Sequence, residues 1–487
     1  PRRPFRHNHR YSKNADTMDR RTFLKGLALT AAGLSVVPRS VLGGAGHQPP
    51  SDTLNIAGIG VGGRGTSNMN AMTSENIVAI CDIDFDHVDQ SLRDGDGNVA
   101  DGLGALHEAY EQAERYADYR RMFDDLEDEI DGVVISTPDH LHAVAAQEAM
   151  KRGLHVYVEK PLTRTVREAR TLMETADAMD VVTQMGNQGH THPDGRRAIE
   201  WVWDGAIGTV HEIHAWTDRP ASWWPQGVSR PEGSMPIPDA VNWDLFLGPA
   251  PEVPYHEAYH PFDWRGWVDY GTGALGDMGA HLIDHAMWAL DLGAPTEVWG
   301  SSNAFGRDGD ERVSWPTAET VHYTFGRGGR DPVRLTWYDG GLLPPRPQAL
   351  PNDVPLVRDL GANEDGPPPS WGGAIWVGDE GILMHDTYGR NPRLYPKKLE
   401  AQHSDAPRQL PRVGTSHQMN WVEACKGRAE ATCPFDYAAP LTETLLLGVV
   451  ALQAGAPVRY DPRSMAIPNA PAAEQYLRRN YRGEWSL

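Results

Sequence analysis

Apolar residues in the first part of the chain form short continuous runs that alternate with longer amphipathic stretches. Short apolar runs bounded by turn residues are typical of strands buried on both faces of a parallel sheet. The predicted strands are residues 54–59, 77–81, 132–136, 156–158 and 181–185. The predicted helices between them are residues 103–114, 141–152 and 166–179. This alternation predicts an α/β fold that begins with a doubly wound parallel-sheet domain over residues 51–186.

The pattern changes after residue 186, where long loops separate segments in which apolar and polar residues alternate. Alternation with a period of two is typical of antiparallel strands with one buried face. The predicted strands here are residues 210–216, 320–325, 334–337, 374–377 and 382–385. The last two flank Gly378-Asp379-Glu380-Gly381 and predict a hairpin. Together with helical patterns at 416–425 and 441–453, these segments predict a second α/β domain over residues 187–487 whose sheet is mainly antiparallel.

One stretch within the second domain has neither the helical nor the strand periodicity of apolar residues. Residues 340–373 are rich in proline, glycine and aspartate. They predict a long surface loop that serves either as a lid or as an oligomer contact.

A glycine-rich turn follows the first predicted strand and identifies a candidate nucleotide site. The turn fits the GxGxxG pattern, and an acidic residue ends the second strand about 20 positions later. Backbone N–H groups at such a turn bind a pyrophosphate, and the acidic residue binds the ribose hydroxyls. A carboxylate there would repel a 2′-phosphate, so NAD is favoured over NADP. The predicted cofactor residues are Gly60, Gly62, Gly63, Arg64, Gly65 and Asp82.

A second candidate site follows the fourth predicted strand, at Glu159-Lys160-Pro161. In a doubly wound sheet, the loops after the carboxyl ends of the strands border the crevice that holds the cofactor. We therefore expect Lys160 near the nicotinamide, with Pro161 fixing its approach, through a cis bond if one forms. The alternative is a surface lysine that precedes a turn proline.

Farther along, a glycine-rich lead-in opens a predicted helix that carries Asp277, His281 and His285. Their i, i+4, i+8 spacing places them on one helix face. A carboxylate one turn from an imidazole holds its tautomer and stabilises the imidazolium, as a general base for an alcohol proton requires. Zinc binding by His281 and His285 is a competing interpretation, although Leu282 stands where HExxH has glutamate. A purely structural histidine pair is another.

The segment between residues 187 and 269 is dense in aromatic and hydrogen-bonding side chains. Aromatic faces pack on the C–H faces of sugar rings, and His or Arg side chains bind hydroxyl groups. Each side chain alone has a structural explanation, but the cluster predicts a carbohydrate or cyclic polyol site. The candidate substrate-binding residues are Gln188, His190, His192, Arg219, Trp223, Trp224, His260, Trp264 and Arg265.

Composition restricts the partners. The formal net charge of −21 argues against nucleic acid and against an anionic membrane surface, and it also suits salty surroundings. Three cysteines among 487 residues form neither a disulfide scaffold nor a zinc ribbon. Cys425 and Cys433 either pair in an oxidising compartment or remain thiols. After the N-terminal region no segment has 18 uninterrupted apolar residues, so we expect no stable transmembrane segment in the mature protein.

The N-terminal region carries an export pattern. Residues 19–25, Asp-Arg-Arg-Thr-Phe-Leu-Lys, are close to the twin-arginine signal, and an apolar stretch and small residues follow within residues 26–45. We interpret residues 1–50 as an upstream segment and a removable signal, with translation starting at Met18. The expected location is the periplasm or another compartment outside the cytoplasm, reached in the folded state through the twin-arginine machinery. The alternative is a basic tail before a short buried helix.

Taken together, these motifs resemble the Gfo/Idh/MocA family of oxidoreductases, which includes glucose–fructose oxidoreductase and inositol dehydrogenase. The resemblance runs from about residue 52 to the end of the chain. It is carried by the glycine turn with Asp82, by Thr137-Pro138 with His142, by Glu159-Lys160-Pro161 and by Asp277-x-x-x-His281. The export signal, the tryptophan-rich insert and the long loop distinguish this chain from the small cytoplasmic members.

The resemblance implies a Rossmann domain joined to an α/β domain whose open, mainly antiparallel sheet often forms dimer or tetramer contacts. It implies that Thr137, Pro138, His142 and Glu159 contribute to the cofactor site along with Lys160. By the same resemblance, Lys160 polarises the substrate oxygen, His281 acts as acid and base, and Asp277 assists it.

Three functions remain open from the sequence. The first is hydride transfer between tightly bound NAD and a sugar or cyclic polyol. The second is a redox-neutral glycosidase or lyase that acts through a 3-keto intermediate, because an exported protein has no replenished pool of free NAD. The third is a dinucleotide-binding protein with a sensory or structural role, against which Lys160, Asp277 and His281 argue.

Overall fold

The computed structural model of the protein describes residues 52–303, 312–329, 331–357 and 371–487. The predicted export signal, within residues 1–50, lies outside these ranges, as do residues 358–370 of the predicted long loop. Two sheets with helices packed against them make up the described part of the chain. The predicted α/β class is therefore confirmed.

The first sheet is parallel throughout, and its strands have the order β3-β2-β1-β4-β5-β6. This order is that of a doubly wound dinucleotide-binding sheet. Parallel strands have their carboxyl ends at one edge of the sheet, so the loops after β3, β2, β1, β4 and β5 follow one another along that edge. The strands are β1 (Asn55–Ile59), β2 (Asn76–Cys81), β3 (Glu114–Tyr116), β4 (Gly132–Ile135), β5 (His155–Val158) and β6 (Thr183–Met185).

The described part of this region has six α-helices. They are α1 (Arg64–Asn70), α2 (Phe85–Ser91), α3 (Gly104–Gln112), α4 (Tyr119–Leu126), α5 (Asp139–Lys151) and α6 (Val166–Met179). Of these, α3, α5 and α6 correspond to the three predicted helices, whereas α1, α2 and α4 are not among the predicted ones. The predicted helix over residues 103–114 is wrong at its end, because α3 stops at Gln112 and β3 begins at Glu114. The strand β3 lies at the sheet edge, where its exposed polar side chains give no buried-strand signal.

The second sheet is mixed and mostly antiparallel, with the order β13-β12-β11-β7-β10-β9-β8-β14. Only the pair of β7 and β10 is parallel among these described strands. The predicted hairpin is confirmed, since Val377 pairs with Ile382 across it. The strands are β7 (Val210–Thr217), β8 (Glu297–Ser302), β9 (Glu319–Phe325), β10 (Val333–Tyr338), β11 (Gly372–Gly378), β12 (Ile382–Asp386), β13 (Arg393–Tyr395) and β14 (Val458–Arg459).

The described part of the long loop lies on this second sheet. Leu350 is buried in a cluster with Ile375, Ile382 and Met384, whose side chains come from β11 and β12. Residues 340–357 therefore cover part of a sheet face.

The remaining helices follow β6 in the sequence. They are α7 (Pro193–Trp203), α8 (Trp243–Leu247), α9 (Gly273–Leu282), α10 (Asp284–Leu290), α11 (Lys398–Gln402), α12 (His417–Cys425) and α13 (Phe435–Ala454). The helix α13 begins at Phe435, before the predicted start at residue 441. Pro440 lies inside its first turns and interrupts the helical pattern of the sequence there. It contacts α6, where Arg170 and Glu443 form an ion pair of 2.6 Å.

Among the described helices, α13 alone has the length and apolar composition of a membrane-spanning segment. Its most apolar window is 83% buried inside the fold, as expected of a core helix. Cys81, Cys425 and Cys433 are all free thiols, so Cys425 and Cys433 do not pair in this structure.

Candidate active site

A cavity of about 630 Å³ runs along the carboxyl edge of the parallel sheet. Its volume lies within the range of about 300–1,000 Å³ that small-molecule and cofactor sites occupy. In sheet order, the loops after β3, β2, β1, β4 and β5 contribute to its wall Asp118, Asp82, Gly60, Thr137 and Lys160. At the Lys160 end, side chains from the second half of the chain complete the wall, among them Arg219, Arg265, Asp277, His281 and Tyr388.

The glycine turn at the middle of this cavity has the geometry that a pyrophosphate requires. Gly60 has a φ of 73°, and a Cβ there would lie 2.8 Å from the backbone nitrogen of Thr137. A Cβ on Gly65 would collide with the carbonyl oxygen of Gly60. Gly63 precedes the first residue of α1 with a φ of 53°, which side-chain-bearing residues rarely adopt. The turn thus presents bare backbone and a helix N-terminus to the cavity, and a dinucleotide fits these residues.

Asp82 lies beside the turn, as the sequence predicts. Its Oδ2 accepts hydrogen bonds from the backbone nitrogens of Val61 at 2.8 Å and Gly62 at 3.3 Å, and its Oδ1 accepts one from that of Asp84. Burial raises the pKa of Asp82 against the lowering effect of these backbone donors. The carboxylate therefore fixes the shape of the glycine turn while it lines the cavity.

Arg64, the first residue of α1, contacts Glu159 at the end of β5. Its Nε lies 3.1 Å from Glu159 Oε1, which also accepts hydrogen bonds from Asn68 and Gln188 at 3.0 Å each. Burial alone would raise the pKa of Glu159, but Arg64 and Lys160 lower it to about 2. Glu159 is therefore an anion that ties the glycine turn to the lysine loop.

Lys160 and Asp277 meet from parts of the chain that are far apart in sequence. Lys160 Nζ donates to the carbonyl oxygen and to Oδ1 of Asp277, both at 2.7 Å. Arg219 forms a short ion pair with Oδ2 of the same carboxylate, and the Nε of Arg265 lies 3.8 Å from its Oδ1. Burial would raise the pKa of Asp277, but these three cations hold it well below its usual range. The bond between Lys160 and Pro161 is cis.

His281 lines the same cavity one helical turn after Asp277, but its hydrogen-bond partner is Asn187. Nδ1 of His281 lies 3.0 Å from Asn187 Oδ1, an acceptor, so Nδ1 carries the hydrogen and Nε2 keeps a lone pair. Burial and the positive charge of Lys160 lower the pKa of His281 well below that of a free imidazole. The ring is therefore neutral at physiological pH and able to accept a proton.

The expectation that Asp277, His281 and His285 share one helix face is wrong for His285. The helix α9 ends at Leu282 and α10 starts at Asp284, so the periodicity breaks at Ile283. His285 turns away from the cavity, and its Nε2 lies 3.3 Å from the carbonyl oxygen of Gly189. The described residues contain no group of three or more side chains arranged to hold a metal ion.

Six of the nine side chains proposed for the substrate line the cavity. Arg219 lies over the Trp223 ring at 3.9 Å, and Arg265 lies over the Trp264 ring at 4.3 Å. The lining members of the proposed set are Gln188, Arg219, Trp223, Trp264, Arg265 and His260. This wall combines aromatic surface with guanidinium donors.

The other three members of that set lie outside the cavity lining and have structural contacts. His190 is buried, with Nδ1 2.9 Å from Asp284 Oδ2 and its ring stacked on Trp288 at 3.9 Å. His192 precedes α7 and accepts a hydrogen bond from the backbone of its first turn. Trp224 is buried, and its Nε1 donates to Gln226 at 2.8 Å. Sequence density alone does not separate such packing residues from lining residues.

Two of the predicted cofactor residues, His142 and Gly65, lie outside the cavity lining and contact the loops that form it. His142 is buried on α5, and its ring nitrogens lie 2.8 Å from the carbonyl oxygen of Pro161 and 2.9 Å from that of Thr137. It therefore connects the loops after β4 and β5. Gly65 allows α1 to approach the turn, as its contact with the Gly60 carbonyl shows. Thr137 and Pro138 themselves line the cavity.

Sequence reasoning missed Tyr388 and Asn187. Tyr388 follows β12 and has a φ of 66°, a conformation that bulky residues seldom adopt outside functional sites. Its ring lies 4.5 Å from that of His281, and burial raises the pKa of its hydroxyl. Neither residue belongs to a motif or a hydrophobic period. Their proximity to His281 arises only from the packing of the two halves of the chain.

Two family models match the chain. The first, described as an oxidoreductase family with an NAD-binding Rossmann fold, matches residues 54–187. The second, the C-terminal α/β domain of the same Gfo/Idh/MocA family, matches residues 221–328.

Curated relatives match part of the chain. A glycosyl hydrolase family 109 protein of Shewanella pealeana is 28% identical over 212 residues, which cover 40% of this chain and 44% of the relative. One from Solibacter usitatus is 35% identical over 171 residues, which cover 34% and 37%. The levoglucosan dehydrogenase of Pseudarthrobacter phenanthrenivorans is 27% identical over 180 residues, which cover 36% of each. The chain thus spans less than half the length of each of these relatives.

Solved structures match over most of the chain. A levoglucosan dehydrogenase in complex with NADH and L-sorbose has a TM-score of 0.54 at 16% identity, covering 83% of this chain and 98% of the other. An inositol dehydrogenase homologue from Azotobacter vinelandii, complexed with NADH and myo-inositol, has a TM-score of 0.53 at 17% identity, covering 84% and 98%. At these identities the likeness establishes a common fold.

Proposed function

The chain belongs to the Gfo/Idh/MocA oxidoreductase family, and from that premise we propose that it transfers a hydride between tightly bound NAD and a sugar or cyclic polyol. The observation that carries this proposal is the convergence of Lys160, Asp277 and His281 on the cavity that begins at the glycine turn. The nicotinamide, when bound, accepts or donates the hydride. The residues of this chain orient the substrate and move its hydroxyl proton.

The lysine provides the positive charge at the reacting oxygen. An ammonium group has three N–H donors, and Lys160 uses two on Asp277. The third remains for the substrate oxygen, where it stabilises negative charge that develops as the alcohol proton leaves. Asp277 and its arginine partners keep the lysine in place.

The histidine receives that proton. Asn187 fixes the tautomer of His281 that has a free lone pair on Nε2, and the lowered pKa keeps the ring neutral. A neutral imidazole takes the hydroxyl proton during oxidation and returns it during reduction. The step therefore has a base, a cation at the oxygen and a hydride carrier.

A polyhydroxyl substrate matches the chemistry of the cavity wall beside Lys160 and Asp277. The Trp223 and Trp264 rings line the cavity, and the guanidinium groups of Arg219 and Arg265 lie over one face of each. Sugars and cyclic polyols combine C–H faces with hydroxyl groups that such pairs can bind. The levoglucosan and inositol dehydrogenase relatives add support by analogy.

A redox-neutral NAD-dependent glycosidase or lyase is the second candidate. The observation that favours it is the partial match to several glycosyl hydrolase family 109 proteins. In this reaction a glycoside is oxidised at C3, and loss of the C2 proton then expels the aglycone from C1. In a glycosidase water adds across the resulting C1=C2 bond, in a lyase it does not, and the ketone is reduced again. Lys160 and His281 serve the oxidation and reduction steps in either function.

We also propose export through the twin-arginine pathway to the periplasm, and assembly into a dimer or tetramer through the second sheet. Export of the folded protein would carry a bound dinucleotide with it. The sequence pattern supports the proposed export, and the family resemblance supports the proposed assembly. A signal-dependent localisation assay tests export, and analytical ultracentrifugation tests assembly.

One assay distinguishes the two catalytic candidates. Purified protein is incubated with a panel of sugars, cyclic polyols and aryl glycosides, while the absorbance of reduced nicotinamide and the release of the aglycone are recorded together. Hydride transfer predicts net reduction of NAD without bond cleavage. Aglycone release without net reduction would favour the glycosidase, and the absence of both with every substrate class would contradict the proposed function.

A further inference from the structure

The last ten residues of the sequence cross back from the second half of the chain to the nucleotide-binding half. They lie against the loops at the carboxyl edge of the parallel sheet, and Trp485 contributes to the wall of the large cavity. Its neighbours in that wall are Ala117, Asp118 and Tyr119, which follow β3. Trp485 thus lies at the end of the cavity remote from Lys160 in the order of the strands.

The segment is attached first to a buried glutamate. Glu168 lies in the first turn of α6 with its side chain only 1% exposed. Arg479 Nε donates to Glu168 Oε1 at 2.8 Å, and the Tyr481 hydroxyl donates to the same oxygen at 3.0 Å. The half-buried arginine and the tyrosine fix the start of the segment to the nucleotide-binding half.

A second attachment joins the segment to the insert of the substrate half. Arg482 Nη1 lies 2.7 Å from Asp244 Oδ1, and its Nε and Nη2 donate to the carbonyl oxygens of Gly248 and Asp244. Asp244 belongs to α8, whose Leu245 and Phe246 also line the cavity. The segment therefore connects two walls of the same cavity.

Trp485 itself is held over the loop after β3. The guanidinium of Arg120 lies 4.4 Å from the centre of the indole, and Asp118 holds that guanidinium through hydrogen bonds of 2.9 Å and 2.7 Å. The Tyr119 ring lies 6.2 Å away. A cation against an aromatic face and a charged pair behind it define one position for the indole.

Sheet order identifies the part of the cofactor that meets Trp485. The nicotinamide belongs beside Lys160 after β5, the pyrophosphate at the glycine turn after β1, and the adenosine ribose at Asp82 after β2. The loop after β3 comes next along the same edge. The adenine is therefore the moiety that reaches Ala117, Asp118 and Trp485, and planar bases bind aromatic faces favourably.

We propose that residues 478–487 form a strap that closes the adenine end of the NAD site, with Trp485 as its base-contacting residue. The strap must open or distort before the dinucleotide leaves, so it slows release of the cofactor. This inference rests on the NAD orientation in the proposed function, but not on the identity of the sugar or on the proton-transfer residues.

The test measures nucleotide release rather than turnover. Protein loaded with radiolabelled NAD is chased with excess unlabelled NAD, and the release rate is compared for wild type, Trp485→Ala and Trp485→Phe. We expect release about tenfold faster in Trp485→Ala, in line with the loss of one base–aromatic contact, and an intermediate rate in Trp485→Phe. Trp203→Ala is the matched control, because Trp203 is an exposed tryptophan at the end of α7, outside the cavity lining and the second sheet.

A second measurement locates the effect on the cofactor. Trp485→Ala should weaken binding of AMP by about the same factor and leave binding of nicotinamide mononucleotide unchanged. Arg482→Ala, which releases the strap from α8 without removing the indole, should accelerate NAD release to a smaller extent, and thermal melting confirms that each variant is folded.

Equal release rates in wild type, Trp485→Ala and Arg482→Ala would overturn the strap. Equal weakening of AMP and nicotinamide mononucleotide would overturn the adenine assignment. A folded wild-type protein that binds no nucleotide would overturn both the proposed function and the strap. Faster NAD release from Trp485→Ala, with hydride transfer as in wild type, supports the strap and does not bear on the proposed function.

Discussion

The two ends of the cavity are built in different ways. At the cofactor end, the walls come from loops that directly follow strands of one parallel sheet, and Asp82, which fixes the glycine turn, lies only about 20 positions from it in sequence. At the substrate end, Lys160 meets Asp277, and Asn187 meets His281, each across about a hundred positions of chain. A local motif therefore identifies the cofactor end, whereas the substrate end forms only when the second half of the chain packs against the first.

The buried carboxylates at the two ends of the cavity also differ in their partners. Glu159 has one guanidinium partner and several neutral donors, and it connects two loops. Asp277 is surrounded by three cations and uses its oxygens to position a lysine and an arginine. Both carboxylates remain charged because each has partners, as buried ions require. Glu159 therefore stabilises the contact between two loops of the fold, whereas Asp277 positions the side chains that act on the substrate.

The largest expected effect lies at the substrate end. Lys160→Ala and His281→Ala should each lower turnover at least about 100-fold, because each removes a group that stabilises charge or moves a proton. Binding of NAD, measured by isothermal titration calorimetry, should remain. Lys397→Ala is a suitable control, since its side chain is 57% exposed and pairs with Glu400 on the surface. Turnover unchanged in either site variant would remove that residue from the mechanism.

At the cofactor end, the effect should fall on binding instead. Gly65→Ala places a methyl group against the carbonyl of Gly60 and displaces the turn, so we expect the Kd for NAD to rise at least about tenfold. Gly104→Ala is a matched control on the surface of α3, where an added Cβ meets no atom within 4 Å. Equal NAD affinity in the two variants would contradict the role of the turn.

The sequence predicted the cofactor end of the cavity more accurately than the substrate end. Continuous apolar runs located the inner strands of the parallel sheet, because those strands are buried on both faces, as β4 is along its whole length. The edge strand β3 lacks that signal and was missed. Helical periodicity placed Asp277 and His281 together but could not foresee the break at Ile283 that turns His285 away.

Side chains of the substrate wall were only partly predictable. Local density of aromatic and hydrogen-bonding residues marked the correct region, yet His190 and Trp224 serve the packing of that region. Tyr388 and Trp485 reach the cavity from segments with no motif at all. Their positions depend on tertiary contacts, which a single sequence does not reveal.

A smaller effect should follow from the hydroxyl of Tyr388. Tyr388→Phe keeps the ring against His281 and removes one hydrogen-bonding group from the cavity. We expect kcat/KM for the sugar or polyol to fall about tenfold, the cost of one hydrogen bond to a substrate group. The Kd for NAD should not change, and a change in that Kd alone would place the hydroxyl at the cofactor instead.

The smallest effect concerns stability rather than catalysis. His417 is buried behind the cavity, its Nε2 lies 2.8 Å from the carbonyl oxygen of Met185, and burial lowers its pKa to about 4. The unfolded chain binds a proton near the ordinary histidine pKa of about 6.5, so the stability that the neutral ring contributes is present above that pH. It is lost as the pH falls from about 6.5 towards 4.

The substitution His417→Gln tests this assignment. Denaturant unfolding at several pH values should show a slope smaller by up to about 1.4 kcal/mol per pH unit in the variant than in wild type, within this window. Parallel pH dependences of the two proteins would show that His417 is protonated equally in the folded and unfolded states.

The most direct test of hydride transfer follows an isotope. A sugar or cyclic polyol that the protein oxidises is prepared with deuterium on the reacting carbinol carbon, and the nucleotide recovered after one turnover is analysed by mass spectrometry. The account predicts deuterium on the reduced nicotinamide in wild type, and the same label appearing at least about 100-fold more slowly in His281→Ala. Substrate oxidised by the wild-type protein with an unlabelled nucleotide would contradict the account.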